Sequence, residues 1–211
     1  MDLFVIIPIL FFSIVLHEFA HGYVAYRLGD DTALLLGRLT LNPLKHIDLV
    51  GTILVPAICY ISGLPMFGWA KPVPVNALRM PSPRSSMGKV GLAGPSANLL
   101  LAILCAFLMK VLLVSHMLSA AATEQTITFL VYGLQINVLL AVFNLMPIPP
   151  LDGGHIVAAL LPVKAAMRYS LFFGRYGMYI VIGLILTGLF KYILYPPMYL
   201  VVSIIGKIFG L

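Results

Sequence analysis

The sequence predicts an all-α polytopic membrane bundle of about five to six membrane segments, with a small membrane-associated β-hairpin near residues 67–80. Three observations lead there. The 211 residues are 61% hydrophobic and only 9% charged, with a mean hydropathy of +1.06. A soluble domain is nearer half apolar and a quarter charged, so this chain has too little polar surface to cover a water-exposed body. The apolar residues also fall in runs long enough to cross lipid, and the basic residues punctuate those runs.

Residues 3–28 form the first span. Leu3 to Leu16 carry no charge, HEFAHGYVAYRLGD follows, and Gly29-Asp30 supplies a stop. As a helix this stretch is about 39 Å long, enough to cross with some tilt. No Lys or Arg precedes it, only Asp2, which favours a retained first helix over a cleaved signal. Residues 30–48 are polar. Residues 49–66 are apolar but short and interrupted by Pro56, so they either dip into the membrane and return or cross it. Residues 67–87 are Pro-rich with short alternating pieces, which read as extended strands or a hairpin. Strong spans follow at 88–114 and 125–146, then a short helix at about 153–161. Residues 176–208 read as two shorter helices broken at Tyr195-Pro196-Pro197. The expected organisation is one domain over 1–211, with a catalytic core at about 1–165 and C-terminal helices at about 166–211.

Charge placement orients this bundle. If the first helix runs outside to inside, then Arg27, Arg38, Lys45, Lys71, Arg79, Arg84, Lys89, Lys164, Arg168 and Arg175 all face the cytoplasm. The loop at 115–124 carries no Lys or Arg, as an exterior loop should. This orientation requires residues 49–66 to re-enter rather than cross. The net charge of +6 is spread over loops and forms no nucleic-acid patch. Its expected partner is the lipid headgroup region. Cys59 and Cys105 lie inside apolar runs and read as small buried hydrophobes. Trp69 and Tyr60 read as interfacial anchors or packing groups, and His116 as exterior loop.

The chemistry is carried by His17-Glu18-Phe19-Ala20-His21, which matches H-E-x-x-H. Residues i and i+4 share one helical face, so two imidazoles can converge on one metal ion. Glu18 sits beside that face, where a carboxylate can take a proton from a water acidified by zinc. Ionisable groups inside a membrane helix are costly, which points to function rather than to two structural histidines. A catalytic zinc site usually has three protein ligands. Among the other acidic residues, Asp2, Asp30, Asp31, Asp48, Glu124 and Asp152, only Asp152 combines membrane depth with a device for reaching inward. It lies in NLMPIPPLDGG, where prolines forbid regular helix and Gly153-Gly154 permit a sharp turn. An N-cap role at the following short helix is compatible with ligation. The expected metal set is thus His17, His21 and Asp152, holding one Zn2+ per chain.

HEFAHG on a first membrane helix, GPSAN at 94–98 and NLMPIPPLDGG at 144–154 resemble the site-2 protease family of intramembrane metalloproteases. RLTLNPLKHID and FGWAKPVPVN extend the similarity over most of residues 10–165. The resemblance implies His17, His21 and Asp152 as zinc ligands and Glu18 as catalytic base. It also implies that Asn98 and Asn144 hydrogen-bond the substrate strand or the developing oxyanion; helix–helix hydrogen bonding is the alternative for both. FGWAKPVPV resembles the family's membrane-associated hairpin, whose edge can pair with an unwound substrate. Many relatives carry a PDZ or CBS domain, and the sequence shows neither, so the expectation is a minimal form. His155 follows Asp152 by three positions and could stand behind the ligands.

The resulting expectation is a zinc-dependent endopeptidase that cuts peptide bonds within or next to transmembrane segments of protein substrates. The expected location is multi-pass in a prokaryotic cell membrane, with the active site nearer the cytoplasmic face. Two other classes use the same residues: a metal transporter or sensor, and an inactive relative that binds membrane helices without cutting them.

Overall fold

The computed structural model describes residues 3–62, 70–115 and 119–211. Its helices are α1 (Leu3–Arg27), α2 (Thr32–Leu35), α3 (Val55–Ile61), α4 (Pro83–Ser115), α5 (Ala120–Asn144), α6 (Asp152–Leu160), α7 (Val163–Leu186) and α8 (Phe190–Phe209). Five of them, α1, α4, α5, α7 and α8, are long and apolar enough to cross a membrane. Trp69, His116, the Tyr60 side chain and residues 67–69 of the expected hairpin lie outside the described residues.

Helix α4 is the centre of the bundle and packs against α1, α5, α6 and α8. Small residues make that possible. Ala102 and Ala106 are fully buried against Leu130, Leu134 and Val138 of α5 and Ile205 of α8. The bulky side chains of the same helices point outward: Leu100 of α4 is 67% exposed and Leu200 of α8 61%. Small residues inside and large apolar ones outside is the pattern of helices whose solvent is lipid, where close backbone approach replaces a hydrophobic driving force.

Two expectations are corrected. Among the described residues of 67–80 there is no strand. Pro72 and Pro74 have no N–H to give a ladder, and the remaining backbone groups are claimed individually. Val73 N–H donates to Glu18 Oε2, Asn76 N–H to Asp30 Oδ2, and Lys71 N–H to the His46 carbonyl. The Arg38 guanidinium donates to the Lys71 and Pro72 carbonyls. Residues 70–76 form a strap without regular secondary structure, pinned residue by residue, and Ala77–Arg79 follow as a 3-10 turn. The C-terminal region also differs, because helix begins at Val163 and the break falls at Thr187–Leu189, where Gly188 has φ 69°. Pro196 and Pro197 sit inside α8, which forgoes the two rungs that their N–H groups would have made to Tyr192 and Ile193. Residues 49–61 form a π-helical turn, Leu49–Leu54, and the short α3. Asp48 caps this piece through the amides of Val50 and Gly51. Together they span at most about 20 Å, short of a roughly 30 Å hydrocarbon core, so the helical part does not cross.

Asp30 anchors the strap to the end of α1. Fully buried, it accepts from the Thr32 hydroxyl and amide and from Asn76 N–H. Burial pushes its carboxyl up, but these hydrogen bonds and the Arg79 charge outweigh that and hold it below the ordinary carboxylate value. A depressed folded-state value means that Asp30 stabilises the fold above about pH 4, and that this contribution is lost as pH falls through the lower folded value. Asp30→Asn turns an N–H donor toward Asn76 or Thr32 and should cost roughly 1–3 kcal/mol at pH 7. Thermal unfolding in detergent should show the gap between wild type and variant closing below about pH 4; a gap independent of pH would refute the assignment.

Candidate metal centre

His17 and His21 lie one turn apart on α1, and both are buried. Each ring is oriented through Nδ1. His21 Nδ1 is 2.7 Å from the Val90 carbonyl of α4, an acceptor only, so this nitrogen carries the proton. His17 Nδ1 is 2.6 Å from Asn98 Oδ1. Both Nε2 atoms are thereby left with their lone pairs, and they face each other at 3.0 Å.

The third group arrives from the far end of the chain. Helix α5 ends at Asn144, and the turn through Pro147–Pro150 delivers Asp152 to the first position of α6. Gly153 packs directly on the Leu145 and Met146 carbonyls, where any side chain would collide. Gly177 of α7 backs the Pro149 carbonyl, and Tyr169 donates to the Pro147 carbonyl at 2.8 Å. So held, Asp152 Oδ2 lies 3.1 Å from His17 Nε2 and 3.2 Å from His21 Nε2. It is buried with no hydrogen-bond partner of its own.

Two lone pairs and a carboxylate oxygen aimed at one point repel each other unless a cation sits among them. Ligand atoms on tetrahedral arms of 2.0–2.1 Å are about 3.3 Å apart, close to the separations found. The orphaned Oδ2 and the two fixed tautomers therefore fit a divalent zinc ion. Among the described residues, this is the one cluster of at least three His, Cys, Asp or Glu ligand atoms within 4.8 Å of one another.

A cavity of about 270 Å³ opens on these three groups, and Glu18, Val73, Met87, Asn144 and His155 help to line it. Glu18 is half-buried beside the ligands, and its Oε2 accepts the Val73 amide at 2.7 Å. The two asparagines part company. Asn144 lines the cavity while donating to the Leu140 carbonyl. Asn98 is fully buried behind His17, with both ends of its amide engaged. His155 lines the cavity without joining the ligand cluster.

Sequence reasoning missed three contributors. Gly94 lets α4 reach the imidazoles: a Cβ there would stand 2.5 Å from His17 Nε2 and as close to His21. The spacing of Gly88, Gly91 and Gly94 was a readable sign of a close-packed face. Ser13 and Asn137, both buried and linked to Asn98, were readable only as polar residues inside apolar runs.

The fold and site define a multi-pass membrane protein in which two histidines and an aspartate, able to hold a metal ion, converge with a carboxylate beside them. Residues 5–188 match peptidase family M50, and the chain belongs to that family, the site-2 proteases. It is 43% identical over 188 residues to the Bacillus subtilis protein named "Putative zinc metalloprotease YwhC", covering 87% of this chain and 81% of that one. The Mycolicibacterium smegmatis protein named "Putative zinc metalloprotease Rip2" is 38% identical over 143 residues, which cover 67% of this chain and 51% of Rip2. "Zinc metalloprotease MJ0392" of Methanocaldococcus jannaschii is 26% identical over 161 residues, which cover 76% of this chain and only 35% of its own length. No solved structure matches significantly. The chain is thus a zinc metalloprotease of family M50, and zinc is its metal cofactor.

Proposed function

We propose that this protein is an intramembrane endopeptidase that hydrolyses peptide bonds within or next to the transmembrane segments of other membrane proteins. The observation that carries this reading is the convergence of His17, His21 and the partnerless Asp152 oxygen inside a bundle of membrane-length helices. His17, His21 and Asp152 hold the metal. Zinc, when bound, polarises a carbonyl and acidifies a water. Glu18 takes the proton of the attacking water and returns it to the departing amine nitrogen as the C–N bond breaks. Asn144, with its side chain in the cavity wall, is placed to hydrogen-bond the substrate strand. A substrate helix must unwind locally, because its amides are tied up internally. The cavity lies under the strap, which is therefore the element a substrate strand must displace.

The basic loops favour a cell membrane with the site nearer the cytoplasmic face, and the whole chain acts as one proteolytic unit. Release of regulatory proteins from membranes is the biological use that this chemistry suits. The transporter reading needs a second set of ligands along an ion path, and the described residues hold no second cluster of three or more.

The test is zinc content and cleavage in detergent. Wild type should hold one zinc per chain and cut a model transmembrane substrate. Asp152→Ala should lose metal and activity together, with affinity for zinc reduced at least 100-fold by chelator competition. Retention of zinc and full activity by Asp152→Ala would overturn the ligand set.

A further inference from the structure

We propose that Asn137 and Ser13, neither of which touches the metal site, set the tautomer of His17 through Asn98 and are positioning residues for the zinc ligand. The proposal rests on the ligand reading given above. The four residues come from three helices and are all buried. Starting from the far end, Asn137 Nδ2 donates to the Gly133 carbonyl at 2.8 Å and to Ser13 Oγ at 2.9 Å. Its Oδ1 accepts from Asn98 Nδ2 at 2.8 Å. The same Asn98 nitrogen donates to the Ser13 carbonyl at 3.3 Å. Asn98 Oδ1 is left facing His17 Nδ1 at 2.6 Å.

The direction of this chain follows from its ends. The Gly133 and Ser13 carbonyls can only accept, so the nitrogen of each amide must face them. Turning either amide over would set oxygen against oxygen in a dry site, where unpaired polar groups are costly. With both amides fixed, only an oxygen can be offered to His17, so its Nδ1 must be the protonated nitrogen. The lone pair is thereby confined to Nε2, which points at Asp152. His21 reaches the same state in one step, through the Val90 carbonyl. Asn98 alone could turn over and present N–H to His17, which would put the lone pair on the wrong nitrogen. The Asn137 oxygen and the Ser13 backbone carbonyl prevent that. The role assigned to Asn98 here is positioning, behind the ligand.

Two measurements on the full-length protein in detergent test this. The first is the ¹⁵N spectrum of histidine-labelled, metal-free protein at a pH where the rings are neutral, with His21 as internal reference. Wild type should show His17 as the Nδ1–H tautomer. Asn137→Leu should shift His17 toward a mixture of tautomers while His21 stays unchanged. The second is zinc affinity by chelator competition, expected to fall 10- to 100-fold in Asn137→Leu. If Asn137→Leu fails to fold, Asn137→Ala removes the same Oδ1 acceptor of Asn98 without added bulk and should give the same change. An unaltered His17 tautomer with zinc affinity within twofold of wild type, in whichever variant folds, would overturn the proposal. Wild type that binds no zinc would instead overturn the ligand reading; because the tautomer is read without metal, the two failures are distinguishable.

Discussion

Gly94→Ala should abolish zinc binding and proteolysis. Its methyl group would lie 2.5 Å from His17 Nε2 and closer still to His21 Nε2, in the space into which both lone pairs project. Neither ring can retreat. His21 is tied to the Val90 carbonyl and His17 to Asn98, both on α4, so pushing α4 away strains the contacts that orient the rings. Displacing α4 would also disturb α6, because Gly91 packs on the Asp152 carbonyl and Gly88 on Ala159. The expected result is less than a tenth of an equivalent of zinc and an activity loss on the order of a thousandfold or more, about 4 kcal/mol or more in the barrier. Metal analysis and cleavage of a transmembrane substrate check it together; a Gly94→Ala protein carrying a full equivalent of zinc would show that the helices do not approach as described.

Glu18→Gln should do the opposite to the metal and nearly the same to the rate. The glutamine carbonyl can still accept the Val73 amide, so the strap keeps its anchor while the base is lost. His17, His21 and Asp152 are untouched, so zinc should remain at one equivalent. A positioned general base contributes typically 10²–10⁴-fold, and a loss of that size in kcat is expected. Glu18→Ala removes base and anchor together, and comparing the two variants separates proton transfer from strap placement. Full activity in Glu18→Gln with zinc retained would refute the base assignment.

The helices and the converging cluster of His17, His21 and Asp152 were legible in the sequence for different reasons. Membrane spans announce themselves through composition, because lipid tolerates so little else, and α1, α4 and α5 fall close to where the apolar runs place them. HEFAH is legible because helical geometry alone brings i and i+4 together. Asp152 was legible because prolines and glycines write their backbone consequences locally. What failed was what depends on distant partners. Proline pairs argue for a break, yet Pro196-Pro197 stay inside α8 and the chain turns at Gly188 instead. The alternating strap looked like a strand because its side-chain pattern does not reveal that Glu18, Asp30, Arg38 and His46 claim its backbone. Asn98, Asn137 and Ser13 are hydrogen-bonded across separations of 39 to 124 residues, and no periodicity encodes such meetings.

The Pro147–Pro150 turn that presents Asp152 has a consequence for biosynthesis. The two imidazoles are made first and the carboxylate that completes them about 130 residues later. At translation rates of about 5–20 residues per second, that interval is on the order of ten seconds. During it the nascent chain holds an incomplete ligand pair, with α5 and the turn still to be inserted. With the proposed ligand set, proteolytic competence is therefore a late event, reached only after α6 has docked against α4.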